Sequence, residues 1–104
     1  MFNKHQFLDE LTDVILENIK NDIVNDIDEV YDIIYREIDG ECTYTYDSFE
    51  ICMALNYVSW EYAELPVNNI CQAAYVALSE YVNEELNMKV IEEVLNARLE
   101  YRHN

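Results

Sequence analysis

The sequence contains very little glycine or proline, with only Gly40 and Pro66 in 104 residues. Tight β-hairpin turns are rich in glycine, so the chain has few residues suited to joining antiparallel strands. The G-x-G-x-x-G and Walker loops need several glycines, because backbone N–H groups must approach the phosphates closely. The composition therefore excludes nucleotide binding by those loops and favours helices.

Basic residues are also scarce, because 6 Lys and Arg stand against 22 Asp and Glu and give a formal charge of −16. A surface with this charge repels nucleic acids and anionic membranes. We therefore expect no direct nucleic-acid partner and no membrane partner. The charge instead predicts a basic protein surface as the partner, and such surfaces are common on proteins that bind DNA or RNA.

Three cysteines, Cys42, Cys52 and Cys71, have no C-x-x-C spacing, and an odd number of cysteines cannot all pair in disulfides. This pattern argues against a disulfide framework or a structural zinc site and favours a reducing compartment. The opening MFNKHQFLDEL lacks the apolar segment of a secretion signal, and no later run approaches about 18 apolar residues. We expect a cytoplasmic protein.

Apolar residues, in contrast, are plentiful: 51% of the chain is hydrophobic, with nine Tyr, three Phe and one Trp. Disordered acidic segments combine high charge with low hydrophobicity, and this chain does not. A chain of this length also fits one domain with a real core. We predict a single helical domain over residues 1–104.

The N-terminal part is predicted to form two acidic amphipathic helices. Apolar residues recur at spacings of three and four from Lys4 to Lys20 and again from Asp26 to Asp39. Each apolar face lies opposite a face rich in Asp and Glu. Gly40 is predicted to end the second helix as the residue that follows its cap.

The remaining chain is predicted to be helical after a short extended connection over residues 41–47. Asp47 or Ser48 is expected to cap a third helix that ends at Pro66. Residues 51–79 contain only two charged residues and are expected to be the most buried. Beyond residue 80, either one long bent helix follows or Asn87 caps a separate one. The predicted fold is all-α, a small bundle of four to five helices with a long bent C-terminal helix.

Catalytic and metal-binding motifs are incomplete. His5 and His103 lie at opposite ends of the chain, so neither is placed to activate a Ser or Cys nucleophile. Asp26 and Asp28 resemble the start of a calcium loop, but the later positions of that loop do not fit. Glu100-x-x-His103 is half of a di-iron motif without its second half. We predict no enzyme activity, no metal and no cofactor.

Acidic residues crowd the N-terminal half, because residues 9–50 contain 14 acids and 2 bases. An ordinary solvated helix face, or a halophilic origin, would explain an excess of charge. A solvated face, however, usually interleaves Lys and Glu, because each such pair adds about 0.3 kcal/mol. Carboxylates three or four residues apart lie about 5 to 6 Å from each other, and two adjacent helices approach the charge density of DNA. The pattern favours a phosphate-like array that fits a basic DNA cleft.

The residues predicted to bind the partner in this way are exposed acids of the N-terminal half. They are Asp9, Asp13, Glu17, Asp22, Asp26, Asp28, Glu29, Asp32, Glu37, Asp39, Glu41, Asp47 and Glu50. Tyr44 and Tyr46 lie between predicted helices and are secondary candidates, because Tyr is enriched among interface anchors. Most other aromatic residues are expected in the core or at its edge.

The segment ILENIKNDIVNDIDEVYDIIY, followed by YTYDSFEICMA and later by EEVLNARLEY, resembles the acidic helices of the Ocr family of bacteriophage antirestriction proteins. The resemblance covers roughly residues 15–55 and 80–101. It implies an all-helical homodimer that mimics bent B-form DNA and inhibits type I restriction-modification enzymes or BREX defence. If a phage encodes the chain, as in that family, we expect it in the cytoplasm of the host cell. The resemblance also implies phosphate-mimic roles for Asp22, Asp26, Asp28, Glu29, Asp32 and Glu50, extended by Glu92, Glu93 and Glu100.

The chain departs from that family at its end, where ARLEYRHN with Arg98 and Arg102 replaces a strongly acidic tail. A shorter mimic can have a different target. An alternative function therefore stays open: an acidic adaptor or inhibitor that binds a defence protein, including a BREX component, through Tyr and apolar contacts. In that case its charge only steers the encounter.

Overall fold

The computed structural model describes residues 1–43, 45–55 and 67–103. Within these ranges the chain forms five α-helices and no β-strand, which confirms the all-α prediction. The helices are α1 (Lys4–Lys20), α2 (Ile27–Glu41), α3 (Thr45–Ala54), α4 (Val67–Glu85) and α5 (Met88–His103).

Helix α1 begins and ends where the apolar spacing predicted. The Asn3 side chain caps it by accepting hydrogen bonds from the backbone N–H groups of His5 and Gln6, at 3.1 and 3.0 Å. These two groups lack partners inside the helix, so the cap stabilises its first turn. Leu11, Ile15 and Ile19 recur every four residues and are all buried.

Helix α2 is capped by Asp26, whose Oδ1 accepts from the Glu29 N–H at 2.9 Å. In return, the Glu29 carboxylate accepts from the Asn25 N–H at 2.9 Å, an arrangement close to a capping box. The prediction that Gly40 ends α2 was wrong. Gly40 lies inside the helix, has no positive φ, and is followed by Glu41 before Cys42 caps the end.

Helix α3 begins earlier than predicted. It includes Thr45 to Ala54, so the second half of the expected extended connection is helical, and Asp47 and Ser48 lie inside the first turns. Ser48 is fully buried, and its hydroxyl donates to the Cys42 carbonyl at 3.4 Å. This bond joins the end of α2 to α3. Tyr44 and the predicted continuation to Pro66 lie outside the described residues.

The C-terminal stretch consists of two helices, so the predicted long bent helix is corrected to α4 and α5. They are separated at Leu86 and Asn87, and the Asn87 Oδ1 accepts from the Val90 N–H at 3.2 Å. Asn is a favoured N-cap because its side chain replaces the missing intrahelical acceptor. The side chain of Leu86 is buried at the junction.

The core includes residues from all five helices, and α3 packs against α4 while α2 contacts both α1 and α4. The charge-poor middle, residues 51–79, was predicted to be the most buried, and residues 56–66 of it lie outside the described residues. Its described part supplies buried residues, but α1 and α2 supply fully buried isoleucines as well. The molecule is elongated, with extents of 58 × 21 × 20 Å. Its radius of gyration of 15.8 Å exceeds the value of about 13 Å typical of a compact domain this long.

No helix among the described residues is long and apolar enough to cross a membrane.

Candidate functional site

The outer face of α1 carries a row of carboxylates. Asp9, Asp13 and Glu17 follow each other at intervals of four residues and are all exposed. Their positions lie opposite the buried residues of the same helix, because about 100° separates successive side chains. Among the described residues, none of the three has an ion-pair partner.

Helix α2 presents a second row of exposed carboxylates. Asp28, Asp32 and Asp39 fall within about 40° of one another around the helix. They too have no ion-pair partner within the described ranges. Tyr35 shares this side of the helix and is 45% exposed. We call Asp9, Asp13, Glu17, Asp28, Asp32 and Asp39 the outer carboxylates.

Other acids of α2 lie on a different side. Glu37 and Glu41 lie roughly opposite Asp28 around the helix. Burial raises the pKa of Glu41 above its ordinary value, and the nearby charges of Asp47, Glu10 and Glu37 raise it further. We call Glu10, Glu37, Glu41 and Asp47 the Glu41 cluster. The predicted phosphate mimics of α2 are therefore divided between two sides of the helix.

Three predicted site residues are engaged within the fold. Asp26 and Glu29 cap α2, as described above. Asp22 forms an ion pair with Arg98 of α5, which fixes the turn after α1 to the last helix. Asp22 also has a left-handed backbone with φ of 65°, a conformation that Asp tolerates better than most residues. These three carboxylates are less available to a partner than the outer carboxylates.

The remaining predicted residues lie on α3 and α5. Glu50 is half-buried on α3, whereas Glu92, Glu93 and Glu100 are exposed on α5. Tyr46, the secondary aromatic candidate that the structure describes, is 68% exposed on α3.

An exposed apolar row on α3 was not predicted from the sequence. Phe49 and Met53 are 54% and 55% exposed and follow Tyr46 at helical spacing, and we call these three residues the α3 stripe. The opposite side of α3 is buried through Ser48, Ile51 and Cys52. The i, i+3, i+7 spacing was visible in the sequence, but Tyr46 was expected in the extended connection and Met53 in the charge-poor segment that was expected to be buried. Contiguous exposed apolar groups are typical of protein contacts.

Two cysteines are held in unreactive form. Burial raises the pKa of the Cys42 thiol to about 12, and burial also raises the pKa of Cys52. A thiol is a poor nucleophile because the thiolate is the reactive form. Among the described residues, no group of three or more His, Cys, Asp or Glu side chains is arranged to hold a metal ion.

The site residues thus form separate acidic faces on α1 and α2 and an apolar row on α3. This combination suits binding to a cationic or mixed protein surface. Comparisons of the chain with models of protein families, with curated proteins and with solved structures found no match.

Proposed function

We propose that this protein is an anti-defence inhibitor that occupies the basic DNA-binding cleft of a host defence enzyme by presenting carboxylates in place of phosphates. The observation that supports this function best is the set of outer carboxylates. They are fixed on folded helices, exposed, and without ion-pair partners among the described residues. Type I restriction-modification enzymes and DNA-binding BREX components are the target classes, as the family resemblance implies.

The size of the molecule limits how much DNA it replaces. A length of 58 Å equals about 17 base pairs of duplex at about 3.4 Å per pair. Such a duplex carries about 34 phosphate charges, whereas this chain carries a net −16. One copy therefore supplies roughly half of the charge of the DNA that it would displace.

Displacement of DNA tests this function directly. The wild-type chain should release a labelled duplex from a purified type I restriction enzyme or from a DNA-binding BREX component. The triple variant Asp28→Asn, Asp32→Asn, Asp39→Asn should be weaker by about tenfold or more, because three charge contacts to the cleft are lost. These positions are preferred to Asp26 and Glu29, whose replacement also affects the helix cap.

A matched control separates position from net charge. The triple variant Glu80→Gln, Glu84→Gln, Glu85→Gln changes the net charge by the same amount on exposed positions of α4. It should retain most of the displacement activity. Equal losses in both variants would indicate steering by total charge, and no displacement by the wild-type chain would contradict DNA mimicry at these targets.

A second function, an adaptor that docks through apolar contacts, is favoured by the exposure of the α3 stripe. Interfaces are often anchored by a few large aromatic side chains. In this case the variant Phe49→Asp should abolish binding to the target while the triple amide variant of α2 binds almost normally at high salt. DNA mimicry predicts the opposite result, in which the triple amide variant of α2 loses more binding than Phe49→Asp. Binding of the wild-type chain should then also fall at high salt, because salt weakens interactions between exposed charges.

A further inference from the structure

Three tyrosines form an aromatic row where α2 meets α4. The Tyr31 and Tyr35 ring centroids lie 6.2 Å apart with an angle of 22° between the planes, and the Tyr35 and Tyr75 centroids lie 6.5 Å apart at 19°. Tyr31 and Tyr35 are one helical turn apart on α2, and Tyr75 belongs to α4. We call Tyr31, Tyr35 and Tyr75 the tyrosine row.

The tyrosine row is partly open to solvent and borders the acidic face of α2. Tyr31 and Tyr75 are half-buried against the core, whereas Tyr35 is 45% exposed. Helical spacing places Tyr35 beside Asp32 and Asp39, because it follows Asp32 by three positions and precedes Asp39 by four. Tyr31 follows Asp28 by three positions in the same way. Burial raises the pKa of Tyr75 above its ordinary value, and the charges of Tyr35, Asp39 and Cys42 raise it further.

Exposed aromatic rings next to unpaired carboxylates suit a particular cation. A guanidinium is planar, so it can stack on a tyrosine ring while its N–H groups bind a carboxylate. A lysine ammonium is a compact and strongly hydrated charge that gains less from stacking. Among the described residues no basic group lies over these rings, although the chain makes a contact of this kind elsewhere, with Lys4 Nζ 5.7 Å from the centroid of the Tyr81 ring.

We infer that the tyrosine row and the adjoining carboxylates of α2 form a binding site for an arginine side chain of the basic partner protein. This inference rests on the proposed function, because that function requires a basic partner. It adds that the contact with the tyrosine row selects arginine over lysine. A second copy of this chain does not fit the same site well, because its surface would bring further carboxylates against Asp28, Asp32 and Asp39.

Two peptides of equal length and charge, oligo-arginine and oligo-lysine, test the site. Binding to the full chain is followed by isothermal titration. Tyr35→Leu should weaken oligo-arginine binding by about threefold, the size of an exposed cation–π contact, and should affect oligo-lysine less. Tyr35→Phe should keep the preference, since it retains the ring. Equal effects of Tyr35→Leu on both peptides, or no effect on either, would overturn the inference.

Val90→Ala is the control, because Val90 is an exposed apolar residue of α5 outside the tyrosine row. It should leave oligo-arginine binding unchanged, and a loss as large as that of Tyr35→Leu would contradict the site. If Tyr35→Leu fails to fold, nuclear Overhauser contacts between the arginine side chains and the Tyr35 ring of the wild-type chain decide the question, and their absence refutes it.

The peptide experiment is independent of the DNA-displacement experiment. Failure to displace DNA would leave the arginine preference measurable, and loss of the preference would leave DNA displacement unaffected. The two proposals can therefore fail separately.

Discussion

Among single residues, Glu41 offers a test of how like charges affect stability. Its carboxyl is partly buried beside three other acids, and its pKa is raised in the folded chain. An acid whose pKa is higher in the folded chain than in the unfolded chain destabilises the fold when it is ionised. This cost disappears as the pH falls toward the ordinary pKa of the acid. Glu41→Gln should therefore raise the free energy of unfolding at about pH 7.5 by about 0.3 kcal/mol, the scale of one like-charge pair. Urea unfolding measures this change.

The stabilisation by Glu41→Gln should depend on pH. The advantage of Glu41→Gln should shrink as pH falls toward about 4.5, where Glu41 is increasingly protonated in both states. Glu92→Gln is the control, because it removes the same charge from an exposed position of α5. A stabilisation that does not change with pH, or one equalled by Glu92→Gln, would contradict the role assigned to the Glu41 cluster.

The ion pair between Asp22 and Arg98 predicts unequal effects for its two members. The side chain of Arg98 is 19% exposed, and its Nη1 is buried without a hydrogen-bond partner among the described residues. The side chain of Asp22 is 58% exposed. Asp22→Asn leaves a poorly hydrated cation and should cost about 1 kcal/mol, whereas Arg98→Met leaves a hydrated carboxylate and should cost less.

Chemical denaturation of the two variants and of the double variant measures this difference. A larger loss for Arg98→Met than for Asp22→Asn would contradict the assignment.

The sequence did not reveal this pair, since the two residues belong to distant segments that only the tertiary fold joins. Helical spacing alone did predict which side chains of α1 would be exposed.

At the level of helices, Asp26 has two roles that substitutions can separate. Asp26→Ala removes the cap of α2 and should cost about 1 kcal/mol of stability. Asp26→Asn keeps a capping oxygen while removing the charge, so it should cost much less. Thermal unfolding compares the two variants. Equal losses would show that the charge at the helix N-terminus, rather than the cap, stabilises α2.

The accuracy of each predicted helix depended on whether nearby residues alone determine where the helix begins and ends. The bounds of α1 followed from apolar spacing that the folded helix uses unchanged. Gly40 was wrongly predicted to end α2, since no left-handed residue is needed there and a Cβ at this position would meet no atom within 4 Å. The separation of α4 from α5 depends on Asn87, whose capping role the sequence left open because Asn also occurs inside helices.

For the whole molecule, the α3 stripe predicts the oligomeric state. We expect a homodimer in which the α3 stripes of two copies cover each other, because neighbouring exposed apolar side chains often mark protein contacts. Sedimentation equilibrium should then give twice the 12.4 kDa mass of the chain. Phe49→Asp should give the monomer, because it places a charge in the apolar contact.

Leu16→Asp is a suitable control, because Leu16 is also exposed but lies on α1. It should leave the dimer intact. A monomeric wild-type chain would contradict the dimer and favour the α3 stripe as a contact for another protein. The sequence could not place this surface, because exposure depends on which side of α3 packs against α4.

The outer carboxylates also have a consequence for the protein in isolation. Because they repel one another and outnumber the neighbouring bases Lys20 and Arg36, any condition that supplies cations should stabilise the free molecule. Its melting temperature should climb with sodium chloride and more steeply with polyamines such as spermidine. A simple thermal-shift scan of candidate host proteins would then report occupancy of this surface before any target has been identified.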